Sequence, residues 1–200
     1  MRRWIGILVV LALVGAGLAG LAQSDLDQFP LGTTTMIYNV RSEEMSEPQI
    51  LELVVTSHED GRYTVRMVTE QTGDEDELAT GFGFIFGAAT VSSGAGHDVS
   101  YTSLEALMDQ RNRLQEGQDY MLPSGGVFTN IAGVTIADVW CLEGTLEDED
   151  KPDERMTIAF ALTHPVYISP LIRAEELRDG EWAETFALEL VEYTVTENGG

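Results

Sequence analysis

From residue 33 onward, apolar and polar side chains alternate with a period of two rather than at helical intervals, the pattern of half-buried β-strands. Thr34, Met36, Tyr38 and Val40 share one phase, as do Leu51, Leu53 and Val55, and then Tyr63, Val65, Met67 and Thr69. Between the second and third runs lies Ser57-His58-Glu59-Asp60-Gly61. Its Asp-Gly pair can supply the positive φ that a tight hairpin needs. Further strands are predicted at Val134 to Leu142, Arg155 to Thr163 and Ala183 to Val195. In the last, Phe186, Leu188 and Leu190 take one phase and Val191, Tyr193 and Val195 the other. That shift predicts a bulge or sharp bend near Leu190. One segment breaks the alternation. Thr102 and Glu105 have capping-box spacing, and Leu104, Leu107, Met108 and Leu114 recur at helical intervals up to Gly117, which predicts a helix over 103–115. Its outer face carries Glu105, Asp109, Arg111, Arg113 and Glu116.

Helical segments are not interleaved with strands, so nothing points to parallel βαβ units. The expected fold is mainly β (α+β), a curved antiparallel sheet or open barrel packed around one amphipathic helix. Residues 23–200 contain no long linker and no internal repeat, and read as a single antiparallel-β domain.

Residues 1–22 read as an address. Arg2 and Arg3 precede an uncharged run from Trp4 to Ala22 that closes in Gly20-Leu21-Ala22, the small-residue ending that signal peptidase prefers. The expected new amino terminus is Gln23. The alternative is an uncleaved anchor over residues 4–22, since the run is long enough to span a bilayer. In both cases the body is exported, secreted or periplasmic in the first and held on the outer face of the membrane in the second.

Charge narrows the partners. The 200 residues carry 11 basic and 34 acidic side chains, a formal charge of −23. Phosphate would be repelled rather than neutralised, which argues against nucleic acid as a partner. Membrane contact is expected only through an uncleaved N-terminal segment. A single cysteine, Cys141, excludes an intramolecular disulfide framework and multi-cysteine zinc sites. Lying beside Trp140 in an apolar run, it is expected to be buried and inert.

Catalytic constellations are thin. Ser92, Ser93, His97 and Asp98 supply the residue types of a hydrolase triad but crowd together in sequence, and no Gly-x-Ser-x-Gly elbow is present. The chain is therefore expected not to be an enzyme. Gly81 to Ala89 interleaves Phe82, Phe84 and Phe86 with glycines but lacks the lysine of a P-loop. It reads as a bent strand, or as an apolar edge or lid meeting a hydrophobic ligand together with Leu104, Leu107 and Met108. Two acidic runs, Asp74 to Glu77 and Glu147 to Asp150 with Asp153 and Glu154, are hard oxygen donors. Asp148, Asp150, Asp153 and Glu154 are the candidate metal ligands, and calcium is the cofactor they would suit. Neither run has EF-hand spacing, and solvated loops between strands account for both.

Phe29-Pro30-Leu31-Gly32-Thr33-Thr34-Thr35-Met36-Ile37-Tyr38 and the closing Leu188-Glu189-Leu190-Val191-Glu192-Tyr193 resemble the first and last strands of a group of uncharacterised secreted bacterial β proteins. The resemblance implies a curved half-barrel around a helix, similar in outline to periplasmic lipoprotein carriers, and transfers no catalytic residue. The leading expectation is an exported non-enzymatic domain binding an apolar small molecule or a protein partner. The alternatives are a secreted hydrolase with a carboxylate pair or a calcium-supported site, and a structural surface protein held by its N-terminal segment.

Overall fold

A computed structural model describes residues 23–43, 45–70, 72–73, 107, 111–123 and 125–197. Among the described residues nine antiparallel strands form one sheet: β1 (Gly32–Ser42), β2 (Gln49–Ser57), β3 (Tyr63–Glu70), β4 (Tyr120–Met121), β5 (Val127–Ile136), β6 (Val139–Asp148), β7 (Lys151–Ala161), β8 (Leu171–Arg178) and β9 (Glu181–Thr196). Their order across the sheet is β3-β2-β1-β9-β8-β7-β6-β5-β4. The first and last strands are therefore neighbours at its centre, and among the described residues β3 and β4 stand at opposite edges of an open sheet. No described helix is long and apolar enough to cross a membrane.

The alternating runs form the strands they predict. Met36, Tyr38 and Val40 are at most 2% exposed, as are Leu51, Leu53 and Val55 on the paired strand. The β2–β3 hairpin closes where expected. His58 N–H donates to Arg62 O at 2.9 Å, and Gly61 takes φ +75° to end a three-residue loop. The phase change in β9 is a bulge: Ile37 faces Glu192 and Tyr38 faces Leu190, leaving Val191 unpaired. Further irregularities interrupt the ladders, among them one at Glu147–Asp148. Thr185 is the extra residue against β8, buried and donating its hydroxyl to Ala174 O at 3.2 Å, and Asn130, at φ +55°, lies within a register shift of β5. Bulges of this kind increase twist and curvature.

Other expectations need correction. Val134 to Leu142 is not one strand. Ala137 and Asp138 both take positive φ, 47° and 64°, and form a two-residue turn that pairs Ile136 with Val139. The apolar residues run on through the turn, so hydrophobicity alone hides it. The strand expected at Arg155 to Thr163 runs from Lys151 to Ala161. Strand β8 escapes the alternation rule because Arg173, Glu175 and Glu176 give it a helix-like composition. Ladder pairing to β7 and β9 makes it a strand. The helix expected over 103–115 does not reach its predicted end. Leu107 is helical, but Arg111–Arg113 is a 3-10 turn, and Gly117 N–H is already bonded to Ile131 O at 2.9 Å. Residues 103–106 and 108–110 lie outside the described residues.

Two apolar clusters hold the sheet. The first joins Met36, Tyr38, Leu53, Leu188 and Leu190 to Val139, Cys141 and Ala159, with Phe29, Val166 and Ile168 over them. The second gathers Leu107, Leu114, Leu122 and Phe128 against Leu142, Leu146, Ile158 and Phe160. Val139, Cys141 and Ala159 of the β6–β7 hairpin enter the first cluster and Leu142, Leu146, Ile158 and Phe160 the second, so part of the hairpin is buried on both faces.

Candidate functional site

The edge strand β3 carries exposed apolar side chains on both of its faces. It pairs with β2 through eight registered positions, from Ile50–Glu70 to Ser57–Tyr63. Among the described residues its other edge has no ladder partner. Val65 on one face is 39% exposed, and Val68 on the other 38%, beside Ile50 of β2 at 43%. On the inner face a cross-strand row runs Val65, Val55, Thr34, Val195. Its middle members are buried and its ends open. The basic residue that could guard such an edge, Arg66, is tied back to Glu52 of β2 by an ion pair. Edges are commonly protected by charge, by proline or by a covering element. Around this edge Asp60 is likewise paired with Arg62, at 2.7 Å, and Glu59 and Glu70 add further negative charge. Asp60 itself is held below the usual carboxylate range by its hydrogen bonds from Arg62.

The outer face of β1, β9, β8 and β7 is polar and internally paired. Glu184 bridges two arginines, with Arg41 at 3.1 Å and Arg173 at 3.2 Å, and Arg41 also reaches Glu189 at 3.4 Å. The hydrogen bond to Glu184 is the main cause of a raised Arg41 pKa. Arg155 pairs with Glu175 at 2.8 Å while its guanidinium lies 4.2 Å over the Trp182 ring. Arg178 closes the set by pairing with Glu43 and Glu176, both at 2.6 Å. Four of the scarce basic residues are thus spent neutralising nearby carboxylates, so this face offers no net positive site. A cleft of about 220 Å³ opens at its end between Arg41, Glu43, Met45, Glu47 and Glu184. It is smaller than the roughly 300–1,000 Å³ of ordinary small-molecule pockets.

Of the residues proposed to meet an apolar ligand, Leu107 is fully buried in the second cluster. Phe82, Phe84, Phe86, Leu104 and Met108 lie outside the described residues, as do Ser92, Ser93, His97, Asp98 and the acidic run Asp74 to Glu77. The four candidate metal ligands are not brought together. Asp148 accepts the amide N–H of Asp150 at 3.0 Å within the β6–β7 turn, and Glu154 is paired with Lys151 at 3.2 Å. Asp150 and Asp153 are exposed. Among the described residues no three His, Cys, Asp or Glu side chains converge as a metal site.

The buried titratable groups are structural. Cys141 is fully buried, and burial pushes its thiol up to about 12, which removes the thiolate that reactivity requires. Tyr38 is fully buried, donates its hydroxyl to Ile168 O at 2.7 Å, and has its pKa pushed up by burial. The exposed His164, just beyond β7, shares a hydrogen bond with Thr163 and meets the Tyr193 ring edge-on.

No protein-family model matches the chain, and no curated protein matches it in sequence. Solved structures similar in outline include MucB in the Pseudomonas aeruginosa MucA/MucB complex, with a TM-score of 0.45, 8% identity, and coverage of 93% of this chain and 58% of that one. A second crystal structure of MucB gives 0.45 and 8%, covering 94% of this chain and 60% of that one. The chain thus spans about three fifths of the length of these neighbours. A likeness of this size leaves the function to be argued from the residues themselves.

Proposed function

We propose that the chain is an exported, non-enzymatic binding domain that receives an extended segment of a protein partner as an added strand along β3. The observation that carries the reading is the β3 edge itself, apolar on both faces at Val65 and Val68 and without a ladder partner among the described residues. In strand addition the free backbone groups supply affinity, and alternate side chains supply specificity. Val65 and Val68 point to opposite faces, so the segment that fits carries apolar residues on both of its faces, an odd number of positions apart. The acidic surroundings favour basic flanks on that segment, because complementary charge speeds encounter and rejects acidic competitors.

Amide hydrogen exchange tests the reading with two probes, an eight-residue peptide with two valines three positions apart and lysines at its ends, and oleate. The peptide is expected to slow exchange at alternate amides of residues 63–70, and Val65→Glu with Val68→Glu to abolish that protection. Protection that spares β3, or that oleate alone produces around Leu107 and Phe128, would overturn strand addition in favour of an apolar small molecule.

A further inference from the structure

We propose that Gln23 becomes the amino-terminal residue of the exported chain and cyclises to pyroglutamate, its lactam nitrogen docked in the fold. The site is built. Gln23 is 1% exposed, and the next residue, Ser24, is 8% exposed. Gln23 N–H donates to Tyr167 O at 3.0 Å, and its side-chain Nε2 donates to Ala161 O at 2.9 Å. Ser24 Oγ accepts the Val166 N–H at 3.2 Å. Every one of these partners is a neutral backbone group.

Cleavage after Ala22 would place a new α-ammonium at that spot. Such a group carries a charge below about pH 8, and a buried charge facing only neutral dipoles is strongly unfavourable. Glutamine is the residue type that removes the problem chemically. Its α-amino nitrogen attacks its own Cδ, a new C–N bond closes a five-membered lactam, the Cδ–Nε2 bond breaks, and the nitrogen leaves as ammonia with the displaced proton. No oxidant or co-reactant is needed. The product is neutral and keeps one N–H on the α-nitrogen for the Tyr167 carbonyl. It also keeps the carbonyl oxygen, Oε1, which is buried without a hydrogen-bond partner in the uncyclised residue. The bond given up is the one from Nε2 to Ala161 O. The 3-10 turn Leu26–Gln28 and the buried Phe29 then continue the docked terminus into β1.

Intact-mass spectrometry and amino-terminal sequencing of the full chain, expressed in a host that exports it, provide the test. The expected product spans residues 23–200, is about 17 Da lighter than the unmodified segment through loss of ammonia, and resists stepwise sequencing until treated with pyroglutamyl peptidase. Gln23→Asn, whose shorter side chain cannot close the five-membered ring, should give an exported chain open to sequencing. An unmodified Gln23 terminus that persists on storage would overturn the cyclisation while leaving cleavage intact. A chain that starts elsewhere, or that keeps residues 1–22, would overturn both.

Discussion

Gly144 lies inside β6, where a glycine weakens a strand unless something needs the space. A Cβ added there would sit 2.5 Å from Phe128 Cζ and 2.7 Å from Cε1. The Phe128 ring cannot retreat: it is fully buried and packed edge-on against Phe160, with centroids 6.0 Å apart and planes at 77°. Gly144→Ala should therefore overpack the second cluster at a cost of about 1–3 kcal/mol. Lower backbone entropy in the unfolded chain would offset about 0.4–1 kcal/mol of that. In a Phe128→Leu background the obstructing ring atoms are gone, and the same substitution should be neutral or stabilising. The assay is a double-mutant cycle on the two positions by urea denaturation at constant m-value, with a coupling of about 0.5–3 kcal/mol expected for residues in contact. Equal costs for Gly144→Ala in both backgrounds, within about 0.5 kcal/mol, would refute the account of Gly144 as the seat of the Phe128 ring.

Leu107→Ala removes a fully buried side chain from the second cluster and should cost about 2–5 kcal/mol. The exposed Arg113→Ala should cost less than about 0.5 kcal/mol, and the two are compared in the same urea melts. Tyr38→Phe leaves the buried Ile168 carbonyl without its donor and should cost about 1–3 kcal/mol, read as a lower thermal midpoint at neutral pH. Cys141 has a folded pKa raised by burial to about 12, so above the ordinary thiol range the unfolded chain holds fewer protons than the folded one. Stability should fall as pH rises from about 9 toward 12, and Cys141→Val should flatten part of that slope in a pH series of thermal melts. An unchanged slope would assign the alkaline loss to Tyr38 and Tyr193, whose pKa values burial also raises.

The chain's own pattern determined the parts whose physics is local. Period-two alternation placed Met36, Tyr38 and Val40 on a buried face, because a strand offers alternate side chains to one side whatever its neighbours are. The Asp60-Gly61 pair marked its hairpin because only certain residues tolerate the backbone geometry of a tight turn. The phase change after Leu190 announced the bulge at Val191, since an extra residue must reverse which side chains face inward. Tertiary structure decided the rest. The turn at Ala137-Asp138 lies hidden in an apolar run, and β8 is a strand despite its helix-like composition, because hydrogen bonding to both neighbours outweighs weak intrinsic preference. The pairing of β1 with β9, which leaves β3 at an edge, is a contact between the two ends of the domain and has no local signature. For the same reason the candidate site was not legible: Val65 and Val68 look like any strand side chains until the order of strands shows that no described strand pairs with the far edge of β3. Acidic residues 148–154 pointed to metal by composition alone, and only the structure shows Asp148 engaged within its turn and Glu154 paired with Lys151. Burial of Gln23 likewise depends on the carbonyls of Tyr167 and Ala161, more than 130 residues away in sequence, which no local pattern could connect to the start of the domain.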